Sequence, residues 1–348
     1  MSRFLEEIQQ QPEALREALA FYRGEGEGRL QATKKLCDEK KGPLLFTGMG
    51  SSFFAPMPVR GELVEAGWLA EVRDASELLH YSLGEITGET VVVAVSQSGE
   101  SAETRRIVEK VQGGSRLVTV TNEMESCLGR CGDVVLPMCA GEEEAISTKT
   151  YTNTLAILHL LGTVLNGGEM GQEMERLERL ADGMEEAIDG RRREIEAAAD
   201  FLDGVQFLYF IARGPTLAAA HQGALTFNEG AGLPTSALSG GTFRHGPLEL
   251  VGEEFAGLFF APKGKTWALV KDMACEVAEG GGRVLLLTDG KLDGLSERVR
   301  VLELPEFGED LFPLNACVPV ELLLYEVAHR RGREAGVFER IAKVTRRE

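Results

Sequence analysis

The sequence predicts an α/β protein made of two homologous domains. Three observations carry that expectation: short apolar runs alternate with helical stretches along the chain, four of those runs recur at a near-constant spacing, and 348 residues with 43% hydrophobic content suffice for two cores. Apolar runs of strand length that end in Gly, Ser, Thr or Pro and lead into helices are the pattern of parallel α/β units. "PLLFTGMGSS" at Gly50 matches "QFLYFIARGPT" at Gly214, and "VVVAVSQSGES" at Ser96 matches "AGLFFAPKGKT" at Pro262. "RLVTVTN" at Thr121 pairs with "RVLLLTDG" at Thr288, and "DVVLPM" at Pro137 with "RVLELPE" at Pro305. The separations are 164, 166, 167 and 168 residues, a drift too small for four unrelated segments.

In chain order, residues 1–24 read as an N-terminal helical segment, 25–168 as the first domain, 169–200 as a connecting helix, 201–332 as the second domain and 333–348 as a C-terminal tail. Within the connector, Met170, Met174, Leu177, Leu180, Met184 and Ile188 recur at helical spacing, which predicts one long packed helix.

Composition narrows the function. A net charge of −18 repels nucleic acid and anionic membrane, so neither is an expected partner and an anionic ligand must be held locally. The start "MSRFLEEIQQQPEALREAL" is charged and has no signal-peptide apolar block, and no apolar run of membrane-spanning length occurs, so a cytoplasmic location is expected. Six scattered cysteines and five histidines show no ligand spacing, which argues against a disulfide framework or a metal site. Cys127 and Cys131 read as a pair of small half-buried thiols. With neither GxGxxG nor a Walker lysine, a dinucleotide or nucleoside triphosphate is disfavoured and no cofactor is expected.

Ligands of open parallel sheets gather beyond the carboxyl ends of the strands, at the switch point. In the first half those ends read Gly50-Ser51-Ser52, Ser96-Gln97-Ser98-Gly99, Thr121-Asn122 and Ser147-Thr148-Lys149; in the second they read Arg213-Gly214-Pro215 and Pro262-Lys263-Gly264. The first set is hydroxyl-rich and the second is not, which predicts a single phosphate site, in the first half. Phosphate needs backbone N–H donors at a helix start and rotatable hydroxyls, and "SQSGES" before "SAETRRIVEKV" supplies both, with Ser51, Ser52 and Thr148 to complete the cradle. The alternative for this loop is a serine-rich turn that caps the following helix.

"GMGSS", "SQSGES", "STKTY", "QGALTFNE", "FRHGPLEL" and the tail "ERIAKVTRRE", in this order, resemble the SIS (sugar isomerase) phosphosugar-binding family, in particular the isomerase half of glucosamine-6-phosphate synthase. The resemblance covers nearly the whole chain. It implies two tandem SIS domains, each a five-stranded parallel sheet flanked by helices in a flavodoxin-like, three-layer αβα arrangement, assembled as a homodimer. It further implies that a sugar 6-phosphate or amino-sugar phosphate is held by Ser51, Ser52, Ser96, Gln97, Ser98 and Ser101, with Ala145, Ser147 and Lys149 beside the sugar. Glu229 matches the carboxylate that moves a proton between C1 and C2. His245 matches the histidine that opens the sugar ring, reaching the site from the neighbouring subunit, and Lys343 matches a lysine in a tail that closes over the ligand. The chemistry is consistent with these roles, because one carboxylate can take a proton from one carbon and return it to the next. On bare sequence Glu229 reads equally as a solvated helix end, and His245 as a surface loop imidazole.

Two departures qualify the resemblance. The synthases carry a glutaminase domain that begins with cysteine, whereas this chain has Ser2 and no such domain before its first SIS unit. The family lysine that forms an imine with the sugar falls at Thr226, which cannot form one. "GALTFNE" followed by "SGGTFRHGPLELV" is similar to the fructosamine 6-phosphate deglycases, an SIS branch that also lacks the lysine. Three functions are therefore open: a deglycase or deaminase of amino-sugar phosphates, an aldose/ketose phosphosugar isomerase, and a non-enzymatic phosphosugar sensor.

Overall fold

The computed structural model describes residues 2–39, 42–114, 116–144, 146–338 and 340. It contains two separate five-stranded sheets, each parallel throughout. The first comprises β1 (Leu44–Gly48), β2 (Ala70–Asp74), β3 (Val91–Val95), β4 (Arg116–Thr121) and β5 (Val134–Pro137) in the order β2-β1-β3-β4-β5. The second comprises β6 (Leu208–Ala212), β7 (Thr235–Ser239), β8 (Ala256–Phe260), β9 (Arg283–Thr288) and β10 (Val299–Glu303) in the order β7-β6-β8-β9-β10. The expected duplication is therefore present strand for strand.

Burial explains why some strands were readable and others were not. The central strands "LLFTG", "VVVAV" and "AGLFF" are buried at every position, as strands covered on both faces by helices must be. The edge strands "AEVRD" and "TSALS" are mostly half-buried, so they lack the apolar run that announces a strand.

Hydrogen bonding corrects two of the sequence matches. Ser96 N donates to Val120 O and Ala261 N to Leu287 O, so the partner of Ser96 is Ala261 and not Pro262. Likewise Met138 N donates to Thr121 O and Leu304 N to Thr288 O, which pairs Pro137 with Glu303 and not with Pro305. Apolar periodicity locates a strand; only its ladder fixes which residues are equivalent.

The described residues cluster into two compact units, one within 10–143 and 147–181, the other within 2–9, 144, 146 and 182–338. The connector is two helices, Met170–Gly190 and Arg192–Phe201, and not one, because Arg191 leaves helical geometry at φ −99° and ψ 9°. Met174, Leu177, Leu180 and Met184 are buried as the stripe predicts. Among the described residues, no helix is long and apolar enough to cross a membrane.

Candidate functional site

In the first unit, strands β1 and β3 are neighbours, and the chain leaves β1 for β2 on one side and resumes at β3 on the other. That makes their carboxyl ends the switch point. Ser51 and Ser52 open a short helix directly after β1, and Ser96 to Ser101 follow β3. The residues Ser51, Ser52, Ser96, Gln97, Ser98 and Ser101 thus follow the carboxyl ends of two neighbouring inner strands of one sheet.

The longer loop is held by its own hydroxyls and by β4. Ser96, only 2% exposed, places Oγ 3.2 Å from Ser101 Oγ and accepts from Gly99 N at 3.2 Å. Ser98 Oγ accepts from Glu100 N at 3.2 Å. Gln97 O accepts from Asn122 N at 3.1 Å and from Thr121 Oγ1 at 3.2 Å. Glu100 Oε1 accepts from Cys127 N at 2.7 Å, tying the loop to the helix Cys127–Cys131. Gly99 has φ +63°, and a Cβ there would strike Ser126 Oγ, so only glycine lets this backbone turn so close.

Ser101 does not behave as a capping side chain. It is the N-cap of the helix Ala102–Val111, yet its side chain makes no cap hydrogen bond and meets Ser96 Oγ instead. The loop thus presents a paired hydroxyl set beside a helix start that no side chain caps, the donor arrangement an anion requires. Burial, reinforced by a hydrogen bond with Cys131, pushes the Cys127 thiol up to about 11, so it stays protonated at neutral pH and is a poor nucleophile.

The segment expected beside the sugar starts the 17-residue helix Lys149–Leu165. Here the structure reveals a residue that sequence reasoning missed. Glu143, 7% exposed, accepts through Oε1 from Thr148 N (2.9 Å), Thr148 Oγ1 (3.1 Å) and Thr150 N (3.1 Å), and through Oε2 from Thr150 Oγ1 (2.7 Å). A carboxylate is the group a helix N-terminus favours, and the signal was present in "EEE" just before "STKT". Lys149 is 4% exposed, with Nζ donating to Gln10 Oε1 and Glu142 O, both at 2.7 Å. Ser147 is half-buried next to them. Ala145 and Lys343 lie outside the described residues. Glu143→Ala would strand two buried N–H groups and two hydroxyls, and should cost at least about 3 kcal/mol in a urea melt, since a hydrogen bond to a charged acceptor contributes roughly 1.5–3 kcal/mol. A loss under about 1 kcal/mol would show that Glu143 does not brace this helix start.

Glu229 and His245 belong to the other unit. Glu229 is half-buried near the end of the helix Leu217–Gly230, which packs on β6 through Phe227 and Phe210, both fully buried with ring centroids 5.3 Å apart. One turn earlier Thr226 is buried, its Oγ1 turned back to Gln222 O at 3.0 Å and Gly223 O at 3.2 Å. His221 lies two turns before Glu229 on the same stripe, and burial lowers its pKa, favouring a neutral imidazole. His245 is exposed where the helix Gly240–Arg244 ends, followed by Gly246 at φ +136° and the turn Pro247–Leu250.

Comparison with known proteins is decisive for the family: the SIS domain model matches residues 39–164 and 205–328. The chain belongs to the SIS domain family. This SIS chain is 29% identical over 348 residues to the glutamine–fructose-6-phosphate aminotransferase (isomerizing) of Pyrococcus horikoshii, covering 97% of the chain but 56% of that protein. With the protein of the same name from Shouchella clausii it shares 29% identity over 97% of the chain and 57% of the relative. The chain therefore spans about half the length of the curated relatives it matches. Among solved structures, the C-terminal domain of glucosamine-fructose-6-phosphate aminotransferase from Francisella tularensis superposes with a TM-score of 0.85 at 25% identity, covering 97% of this chain and 98% of that one. A glucosamine-6-phosphate deaminase from Thermotoga maritima, at 19% identity, has a TM-score of 0.74 over 99% of both chains, a likeness of fold alone.

Proposed function

We propose that this chain is a phosphosugar-processing SIS enzyme that removes the amine from fructosamine-type 6-phosphates, as a deglycase or deaminase working by C1–C2 proton transfer. The observation that carries the reading is Thr226. The family's imine-forming lysine is replaced by a buried hydroxyl bonded to its own helix, so no nucleophilic amine stands at that position. A substrate that already bears nitrogen on C1 needs none.

In this mechanism the serine cradle and Gln97 hold the phosphate, with Ser147 and Lys149 as proposed contacts to the sugar. His245 passes a proton to the ring oxygen, opening the ring to a C2 ketone. Glu229 removes a proton from C1 and returns it to C2, while the C2 oxygen gains a proton and the C1 nitrogen loses one, so that the C1 amine and C2 ketone become a C1 imine and C2 alcohol. Water adds to the C1 imine and the C–N bond breaks, releasing an amine and an aldose 6-phosphate. No redox cofactor enters the balance. The isomerase reading is favoured by the names of the relatives and uses the same Glu229 and His245 on fructose 6-phosphate. We propose a homodimer in which His245 serves the neighbouring subunit, and Lys343 in a tail that closes over the ligand.

Borohydride trapping tests the absence of an enzymatic imine. The chain, incubated with fructosamine 6-phosphate under turnover and treated with borohydride, should keep its unmodified mass. A reduced sugar adduct on a lysine would overturn this route.

A further inference from the structure

Because the two sheets share one strand order, the second has its own switch point, between β6 and β8. By the hydrogen-bonded equivalence of Ser96 with Ala261, Gly264 stands where Gly99 stands in the first sheet, and Lys265 where Glu100 does. A carboxylate occupies that place. Glu309 Oε2 accepts from Lys265 N at 3.1 Å and lies so near Gly264 that a Cβ there would collide with it. Its other oxygen, Oε1, would be 3.7 Å from a Cβ on Gly214, at the end of the neighbouring strand loop. Glu309 thus reaches from the segment after β10, at the sheet's edge, to the gap between the loops that follow β6 and β8.

The loop after β8 already gives its N–H groups to the chain's own carboxylates. Besides Lys265 N on Glu309, Lys263 N donates to Asp289 Oδ1 at 2.6 Å, while Arg213, on the loop after β6, turns its guanidinium toward Gly240 and Met273. Lys263 Nζ is paired with Glu306 Oε2 at 2.5 Å. The loop N–H and the inserted carboxylate repeat, within one chain, what the first sheet is proposed to offer an external anion.

We propose that the switch point of the second sheet is an anion-binding site occupied by the chain's own Glu309 carboxylate, which stands in the place of a phosphate and excludes one. The chain accordingly takes up one phosphate, at the first sheet, and loss of the Glu309 carboxylate opens a second site for a phosphomonoester or inorganic phosphate.

Equilibrium dialysis of the full chain against inorganic phosphate counts the sites. The wild-type protein should bind one phosphate per chain and Glu309→Ala two. With the first cradle disabled by Ser96→Ala and Ser101→Ala together, binding should vanish, and adding Glu309→Ala should restore one. A folded Glu309→Ala chain that binds no more phosphate than wild type would overturn the proposal. If the Ser96→Ala, Ser101→Ala chain still binds phosphate, the reading of the first cradle fails, while the increment on removing Glu309 still decides this one. Should Glu309→Ala fold poorly, Glu309→Ser leaves room for the anion. Its melting temperature should then rise saturably with phosphate and not with chloride, and equal responses to both salts would refute the site.

Discussion

Glu229→Gln should lower turnover by at least about 10²-fold and leave phosphosugar affinity within a few-fold of wild type. A positioned acid/base group contributes roughly 10²–10⁴-fold, and glutamine keeps the shape of glutamate while losing the capacity to accept and return a proton. The fold should tolerate the change, because the helix Leu217–Gly230 is anchored by Phe227 on Phe210 and Glu229 itself is only half-buried. Affinity should survive because the proposed phosphate donors are Ser96, Ser98, Ser101 and their neighbours on the first sheet. Steady-state rates and a binding isotherm on the same preparation separate the two effects. A Glu229→Gln enzyme of near-normal rate would remove the proposed mechanism.

Complementation should produce the other large effect. His245 sits exposed at a helix end, where it is available to a neighbouring chain. If each site draws Glu229 from one subunit and His245 from the other, Glu229→Gln and His245→Ala homodimers are both inactive. Their heterodimer has one site with both defects and one with neither, so co-expressed, differently tagged chains purified as heterodimers should recover about half the wild-type rate, from a background at least about 10²-fold lower. Isolated heterodimers with no recovered activity would show that each site is built from a single chain.

How far the sequence could be read follows from which residues bury apolar side chains. "LLFTG", "VVVAV", "RLVTVT", "AGLFF" and "RVLLLT" are short, mostly apolar runs, and each is a strand where expected. "AEVRD" and "TSALS" are edge strands with polar residues, so nothing in their pattern separates them from loops. The matches at Pro262 and Pro305 slipped because residues at strand ends are fixed by ladder hydrogen bonds that no pattern encodes. The helix break at Arg191 was hidden for a similar reason: the apolar stripe stops at Ile188, but "DGRRREIE" contains no proline to mark an end.

At the candidate site, residue types were legible and their partners were not. Six hydroxyl and amide side chains at two strand ends could be grouped from the order of the motifs, and in the structure they follow the carboxyl ends of the neighbouring inner strands β1 and β3. That Ser101 meets Ser96 instead of capping its helix is a matter of rotamer. That Glu143 gathers four donors depends on a turn between β5 and the next helix, whose geometry the sequence leaves open. Thr226 could be read as a missing lysine; only the structure shows its hydroxyl bonded within its own helix.

The central claim, that the substrate brings its own nitrogen, is tested most directly by following products. The purified chain is given fructosamine 6-phosphates, glucosamine 6-phosphate and fructose 6-phosphate separately, with amine release and aldose formation measured independently. Amine and aldose 6-phosphate should appear in equal amounts from a fructosamine 6-phosphate, with no conversion of fructose 6-phosphate. Interconversion of fructose 6-phosphate and its aldose, with no amine released from either nitrogen-bearing substrate, would contradict the account and establish the isomerase in its place.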